Sequence, residues 1–136
     1  ASGKGIRRFS NQTANVWALE VNNDTTQLIV GCGTALQIWD IASGELIKNI
    51  QGHQTDIFGL CLSTNGRYAV TATQKGTIKM WDIITGQCIR SLKGYAPIRL
   101  SHDERYLISG GAKGEFNVWK IYLDEQVFTA KPMICR

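Results

Sequence analysis

Three six-residue segments of this chain share one pattern. Each has an apolar, a polar and an apolar residue, then tryptophan, a charged residue and isoleucine. The segments are 36–41, 78–83 and 116–121. Their tryptophans, Trp39, Trp81 and Trp119, lie 42 and 38 residues apart. A repeat of about 40 to 45 residues with this ending is typical of a unit of four short strands that stacks against similar units. The period therefore constrains the architecture more strongly than any single residue does.

Turn residues divide each repeat into four β-favouring segments. The middle repeat predicts strands at 57–62, 68–72, 77–83 and 88–92. The first repeat predicts strands at 16–21, 28–32, 35–41 and 46–50, and the third at 97–100, 106–110, 115–121 and 126–129. We therefore predict an all-β protein in which residues 1–136 form one domain of three propeller blades, each with four antiparallel strands, over about 16–50, 57–92 and 97–130.

The first residues fit the same frame as a leading outer strand at about 5–10. The segment 3–9 matches 44–50 and 86–92, with glycine three residues before an aliphatic residue in each. A chain that begins on a fourth strand either donates that strand to close a ring or is cut from a longer array. Closed propellers have roughly four to eight blades, so three blades form an incomplete ring. We expect it to be closed by other chains, as in a homo-oligomer, or by missing blades.

Composition excludes several classes of protein. The net charge of +4 is compatible with acidic partners or nucleic acid and indicates neither. The four cysteines contain no C-x-x-C pair, so we interpret them as small buried apolar residues of an intracellular, cytoplasmic protein, without disulfides or metal. No apolar run reaches the roughly 18 residues that span a membrane. We predict no membrane partner and no cofactor.

The order of residues within the middle repeat is specific enough to indicate a family. Gly52-His53, Asn65-Gly66, Gly76-Thr77 and Trp81-Asp82 follow one another in one register, and two further copies share it. From residue 3 to about residue 129 the chain resembles the WD-repeat propeller family. The resemblance implies a rigid, non-enzymatic scaffold that binds protein partners on its rim and at the mouth of its central channel.

In that family a hydrogen-bonded tetrad of Trp, Ser or Thr, His and Asp braces each blade. The middle blade matches with Trp81, Thr71 and His53, and it has Gln74 in place of Asp. The first blade has Trp39 with Gln12, Val30 and Gly33 at the other three positions, and the third has Trp119 and Ser109 with Tyr95 and Ala112. No blade has a complete tetrad. We therefore expect modest blade stability and reliance on neighbouring blades.

The third repeat is also shorter than the second. Tyr95 to Ser101 spans six residues where His53 to Ser63 spans ten. We expect the missing residues to come from the loop and the start of the innermost strand, which would leave a notch in the rim.

The resemblance also implies a partner-binding face at the mouth of the channel. Trp17 and Phe58 occupy the same place near the start of successive innermost strands, and tryptophan is enriched at binding hot spots. Residues predicted to share this face are Asn15, Asp56, Cys32 and Thr73. The alternative is that the two aromatic rings pack inside the core between blades.

One charge pattern repeats with the blades. Arg7, Lys48 and Arg90 occupy equivalent positions on successive outermost strands, which suggests a basic belt that binds nucleic acid or another polyanion. The alternative is that positive charges protect exposed strands from aggregation, as is common at sheet edges. Aromatic residues suited to stacking on bases are lacking there, so nucleic acid is not the favoured partner.

The sequence offers no catalytic set. It has two histidines, of which His53 is assigned to the tetrad and His102 lies in a hairpin turn beside Asp103 and Glu104. Adjacent carboxylates on a turn point apart and do not share a proton. No phosphate-binding loop and no Ser-His-Asp arrangement is present. We therefore expect a protein-interaction module and not an enzyme.

Overall fold

The structure, a computed structural model, describes residues 3–9 and 14–121 and the backbone of residues 131–135. The described part is all-β and forms three four-stranded antiparallel sheets, which confirms the predicted fold. Blade 1 contains β1 (Val16–Val21), β2 (Gln27–Cys32), β3 (Ala35–Asp40) and β4 (Leu46–Gln51). Blade 2 contains β5 (Ile57–Leu62), β6 (Tyr68–Thr73), β7 (Thr77–Asp82) and β8 (Gln87–Lys93). Blade 3 contains β9 (Tyr95–Leu100), β10 (Tyr106–Gly110), β11 (Phe116–Lys120) and β12 (Lys131–Cys135). The three sheets are not closed into a ring.

In blade 2 and again in blade 3, equivalent side chains fix the hairpin that joins the first strand of the blade to the second. In blade 2, Ser63 Oγ donates to Asn65 Oδ1 at 2.6 Å and accepts the Tyr68 N–H at 3.0 Å. In blade 3, Ser101 Oγ donates to Asp103 Oδ1 at 2.7 Å. That bond is the main reason why the pKa of the Asp103 carboxyl is lowered. Asp103 is therefore a turn-forming residue, as the sequence predicts.

Each buried tryptophan faces the preceding blade. Trp81 of β7 packs among Leu36, Ile38 and Ile50 of blade 1, and Trp119 of β11 packs among buried residues of blade 2 such as Met80. Blade 2 is thus covered on both faces, as the apolar third strands predict. Trp39 points away from blade 2, so its side of blade 1 is an open end.

The leading segment lies against this open end. Residues 3–9 pair with no strand in the described chain. Phe9 packs edge-on against Trp39, with ring centroids 5.6 Å apart. Ile50 of β4 packs against Trp81 in the equivalent way one blade later. The segment therefore occupies the position of a preceding fourth strand in the register that the repeats predict, without forming a strand itself.

Blade 3 departs from the predicted boundaries at two places. The strand predicted at 126–129 lies outside the described residues, and the outer strand is β12. At the other edge, β9 begins at Tyr95 and has the usual six residues. The connection from β8 to β9 is the single residue Gly94, whereas residues 52–56 connect β4 to β5. The shortening thus falls entirely on the loop, and the expectation that the strand is also shortened is wrong.

Candidate partner-binding face

A buried hydrogen-bond network braces blade 2. Thr71 Oγ1 lies 2.5 Å from Nε2 of His53 and accepts the indole N–H of Trp81 at 2.9 Å. Lys79 Nζ donates to the carbonyl oxygen of Gly52 at 2.5 Å, next to His53. The three tetrad residues predicted for this blade are thus in contact. Gln74, at the position of the missing Asp, is exposed.

Burial and charge keep the histidine neutral. His53 is 6% exposed. Desolvation, and to a lesser extent the charge of Lys79, lowers its pKa from 6.5 to about 4. A neutral imidazole that is closed off from solvent serves as a structural brace, and it is not placed to act as an acid or base on an external substrate.

The other two blades use different partners for tryptophan. In blade 3 the Trp119 indole donates to Ser109 Oγ at 3.1 Å, as predicted. In blade 1 the Trp39 indole donates to Gln37 Oε1 at 3.1 Å, and Gln37 Nε2 donates to Asn49 Oδ1 at 3.2 Å. The role of Gln37 could not be predicted from the sequence, because Gln37 occupies the position of Lys79 and the family tetrad has no member there. Gln12 lies outside the described residues.

Trp17 and Phe58 form a stacked pair across the boundary of blades 1 and 2. Their ring centroids are 5.2 Å apart and their planes are tilted by 31°. Each residue sits at a bulge near the start of its inner strand, where the pairing register with the next strand shifts. A bulge turns a side chain out of the regular alternation of the strand. Trp17 is 53% exposed, and Phe58 is half-buried.

The aromatic pair lies at one end of a groove along the three inner strands. β1, β5 and β9 pack side by side, and the groove between them has a volume of about 370 Å³. Its lining is Trp17 to Glu20, Phe58 to Cys61 and Pro97 to Arg99. The two rings therefore border an open surface and are not enclosed in the core between blades.

The other residues predicted for this face divide into two groups. Asn15 is exposed and Asp56 is half-buried, both next to the aromatic pair. Cys32 and Thr73 are 4% and 1% exposed, so the prediction that they are displayed on this face is wrong. Thr73 Oγ1 instead accepts the backbone N–H groups of Lys75 and Thr77, at 3.2 and 3.4 Å, and so fixes the turn that follows β6. The Cys32 thiol lies against the backbone of Ala14, in the segment that leads into β1, and this segment covers it.

Comparison with known proteins identifies the repeat. The family model described as WD domain, G-beta repeat, matches residues 44–82, from the turn before β4 to the end of β7. The match shows one WD40 repeat, in the middle of this chain.

Solved WD40 structures share the arrangement of the blades. The crystal structure of the RRP9 WD40 repeats superimposes with a TM-score of 0.78 over 95% of this chain and 41% of that chain, at 16% identity. The structure of U3-55K superimposes with the same score over 96% of this chain and 42% of that chain, also at 16% identity. At this identity the likeness shows the fold alone.

A curated relative matches in sequence. Autophagy-related protein 16 of Arabidopsis thaliana is 27% identical over 112 residues, which cover 74% of this chain. The chain spans 22% of the length of that relative and about two fifths of the two solved chains.

The basic belt of the WD40 blades is engaged in contacts between blades. Arg7 Nη2 donates to the carbonyl oxygen of Ala42 at 2.8 Å. One blade later, Lys48 Nζ donates to the carbonyl oxygens of Ile83 and Ile84 at 3.0 and 2.6 Å. Arg90 is half-buried. The third-to-fourth-strand turn of the next blade therefore holds the side chains of Arg7 and Lys48, two members of the predicted basic belt. We call these contacts inter-blade latches.

The described residues contain no metal-binding cluster and no membrane-spanning helix. Across 3–9 and 14–121, no group of three or more His, Cys, Asp or Glu side chains could hold a metal ion. The described chain contains no helix that is long and apolar enough to cross a membrane. Cys61 is buried, which raises the pKa of its thiol to about 11, whereas Cys88 is exposed, contrary to the expectation that all four cysteines are buried.

Proposed function

We propose that this chain is part of a non-enzymatic WD40 propeller. The propeller binds protein partners at the mouth of its channel. The observation that carries this proposal is the contact between the exposed ring of Trp17 and the half-buried ring of Phe58 on adjacent inner strands. WD40 repeats generally serve as protein-interaction modules, which supports the same conclusion.

Exposing aromatic surface to water costs free energy. A half-exposed tryptophan that stacks on a second ring presents apolar area to water, and such area on a rigid surface marks an interaction site. Tryptophan and tyrosine dominate binding energies because they bury a large area with few rotatable bonds. The groove beside the pair has Glu20 and Arg99 along its lining. Apolar rings bordered by both signs of charge suit a polypeptide segment better than a uniformly charged polymer.

Ring completion is the second part of the proposal. Stacked repeats need neighbours to cover their apolar faces. We propose that a second copy of the chain, another subunit or further blades of a longer chain cover the open faces of blades 1 and 3. An intracellular, reducing compartment is part of the proposal, supported by Cys61 and Cys88, which form no disulfide among the described residues.

The experiment compares binding partners of matched surface variants. Proteins captured by the wild-type protein should be lost with Trp17→Ala and with Phe58→Ala. They should be retained with Ile84→Ala, which removes an apolar side chain that is 66% exposed on the turn at the opposite end of blade 2. Equal capture by all variants would refute the assignment of this face.

Polyanion binding through Arg7, Lys48 and Arg90 is the alternative function, and the latches weaken its support. A salt titration separates the two functions. Binding through phosphates weakens steeply as salt rises because counterions are released, whereas binding through Trp17 and Phe58 should change little.

A further inference from the structure

The shortened loop between β8 and β9 leaves a hollow at the boundary of blades 2 and 3. With Gly94 as the only connecting residue, no loop covers this part of the face, and the hollow has a volume of about 390 Å³. It is lined by Lys75, Gly76, Lys93, Gly94, Tyr95, Gly111, Ala112 and Asn117. The hollow lies where the sequence predicts a notch, and Tyr95, which the sequence alignment matches to His53, is here the first residue of β9.

The polar groups of the hollow are all suited to an anion. Lys75 and Lys93 are exposed, and within the described residues neither ammonium group has a hydrogen bond or ion pair. The Tyr95 hydroxyl likewise has no partner there. Among the residues that the structure describes, no carboxylate belongs to the lining. Two cations and a hydroxyl donor thus border one cavity without a countercharge.

The floor of the hollow is backbone that cannot accept larger side chains. A Cβ atom at Gly94 would lie 2.5 Å from Cδ1 of Ile78 and 3.0 Å from Oγ of Ser109. Gly76 has φ +104°, and a Cβ atom there would contact the Tyr95 ring at 3.5 Å. The cavity is therefore built into the packing of blades 2 and 3 and does not depend on the position of a flexible loop.

The hollow and the aromatic groove lie along the same strand, β9. Tyr95 lines the hollow, and Pro97, two residues further along β9, lines the groove beside Trp17 and Phe58. Two residues of extended chain span about 7 Å. A single segment of a partner can therefore place an apolar side chain on the rings and a charged side chain in the hollow.

We propose that the hollow binds an acidic side chain of the protein segment that docks on the aromatic groove. The proposal rests on the proposed function and adds the chemistry of the partner. A glutamate or aspartate carboxylate and a phosphoserine share the chemistry required, since both accept hydrogen bonds from ammonium and hydroxyl groups. Nucleic acid is not favoured, because binding to a phosphate backbone uses an extended row of cations.

The experiment selects binders from a library of random 12-residue peptides displayed on phage, with the protein in the assembled state in which it is isolated. We expect the selected peptides to contain an acidic residue at a fixed spacing from an apolar one. Synthetic peptides with glutamate, phosphoserine or glutamine at that position should then bind in the order of their negative charge. The double variant Lys75→Gln/Lys93→Gln should weaken the acidic peptide about tenfold, as expected for two exposed ion pairs.

A matched double variant controls for the loss of net charge. Lys4→Gln/Arg105→Gln removes the same charge from exposed residues outside the hollow and should leave the affinity unchanged. Tyr95→Phe keeps the ring and removes the hydroxyl group, so it should weaken binding by a smaller factor.

Other outcomes of the peptide selection would refute either the acidic site or the proposed function. Selected peptides without acidic residues, or with equal affinity for both double variants, would refute the acidic site; if Trp17→Ala still abolished their binding, the proposed function would stand. Displacement of the peptide by a short oligonucleotide at lower concentration than by the acidic peptide itself would also refute it. If the wild-type protein selects no peptide at all, the proposed function fails and the acidic site fails with it.

Discussion

The hydroxyl oxygen of Thr71 lies 2.5 Å from Nε2 of His53, inside the boundary of blades 1 and 2. The same oxygen accepts the Trp81 indole N–H at 2.9 Å. His53→Ala removes one partner from this buried network, and the group left unpaired should lower the free energy of unfolding by about 1 to 3 kcal/mol. Urea denaturation followed by tryptophan fluorescence measures the change. Binding by the folded fraction should be unchanged; a variant with normal stability and lost binding would make His53 a site residue.

The buried histidine also predicts how stability depends on pH. The pKa of His53 is lowered from 6.5 to about 4 in the folded state, mainly by desolvation. The unfolded chain therefore takes up this proton first as the pH falls. The contribution of neutral His53 to the free energy of unfolding is complete above pH 6.5 and is lost as the pH falls towards 4. The free energy of unfolding should fall by up to about 3 kcal/mol over this range. His53→Gln, which does not titrate, should show a flatter profile between those pH values, and identical profiles would contradict the assignment.

The two aromatic residues that border the groove and the buried Trp81 should respond oppositely to truncation. Trp81→Ala removes a ring that is 4% exposed and should cost about 3 to 5 kcal/mol of stability, as for large core side chains. Trp17→Ala and Phe58→Ala should cost little stability, and each should cost at least about 1 to 2 kcal/mol of affinity for a partner. Thermal melting and titration calorimetry measure the two effects. The binding face would be unassigned if Trp17→Ala unfolded the protein as readily as Trp81→Ala.

The latch between blades predicts a stability role for Lys48. Its ammonium group donates to the carbonyl oxygens of Ile83 and Ile84. Lys48→Met keeps the apolar stem and removes the donors, which should cost about 1 kcal/mol, since a charged hydrogen bond at a half-exposed position is only partly desolvated. Lys93→Met is the control, because it removes the same charge from a side chain without such a contact. Equal melting temperatures for the two variants would show that the latch contributes nothing.

The repeat allowed the sequence to predict most of the fold. Turn dipeptides and strand patterns recur in register, so one well-marked repeat aligns the others, and the strands of blades 1 and 2 agree with the prediction to within about one residue at most ends. Blade 3 was harder to predict. Pro132 disfavours a strand by its sequence, and it is tolerated on the outermost strand β12, where one edge needs no partner.

The candidate site was less predictable, because exposure depends on neighbours that the sequence does not specify. Trp17 and Phe58 could be placed on one face from their shared position, but the bulges that turn them outward have no sequence signal. Thr73 sits beside an exposed loop and is nevertheless buried, because its hydroxyl group turns back to the loop backbone. The recurrence of Arg7 and Lys48 was visible, whereas the carbonyl groups that hold them come from a different blade.

The outward faces of blades 1 and 3 carry exposed apolar side chains. On blade 1, Leu19 and Val21 are 58% and 42% exposed, and Phe116 on the far face of blade 3 is 48% exposed. In a closed propeller neighbouring blades cover such faces, and apolar patches of this kind on soluble proteins mark contact surfaces. The assembled protein should therefore be larger than one copy of these three blades, whether the added blades come from a second copy, another subunit or the same chain.

Light scattering on the 136-residue chain tests this directly, because the chain alone must then oligomerise or aggregate. Leu19→Arg and Phe116→Arg place a charge in each predicted contact and should shift the mass distribution of the assembled form, since an unpaired charge buried at an interface is strongly disfavoured. Ile84→Arg adds the same charge on an exposed turn and should have no effect on mass. A stable, cooperatively unfolding monomer of the chain would show that the two end faces tolerate water, and ring closure would then not be required for this fold.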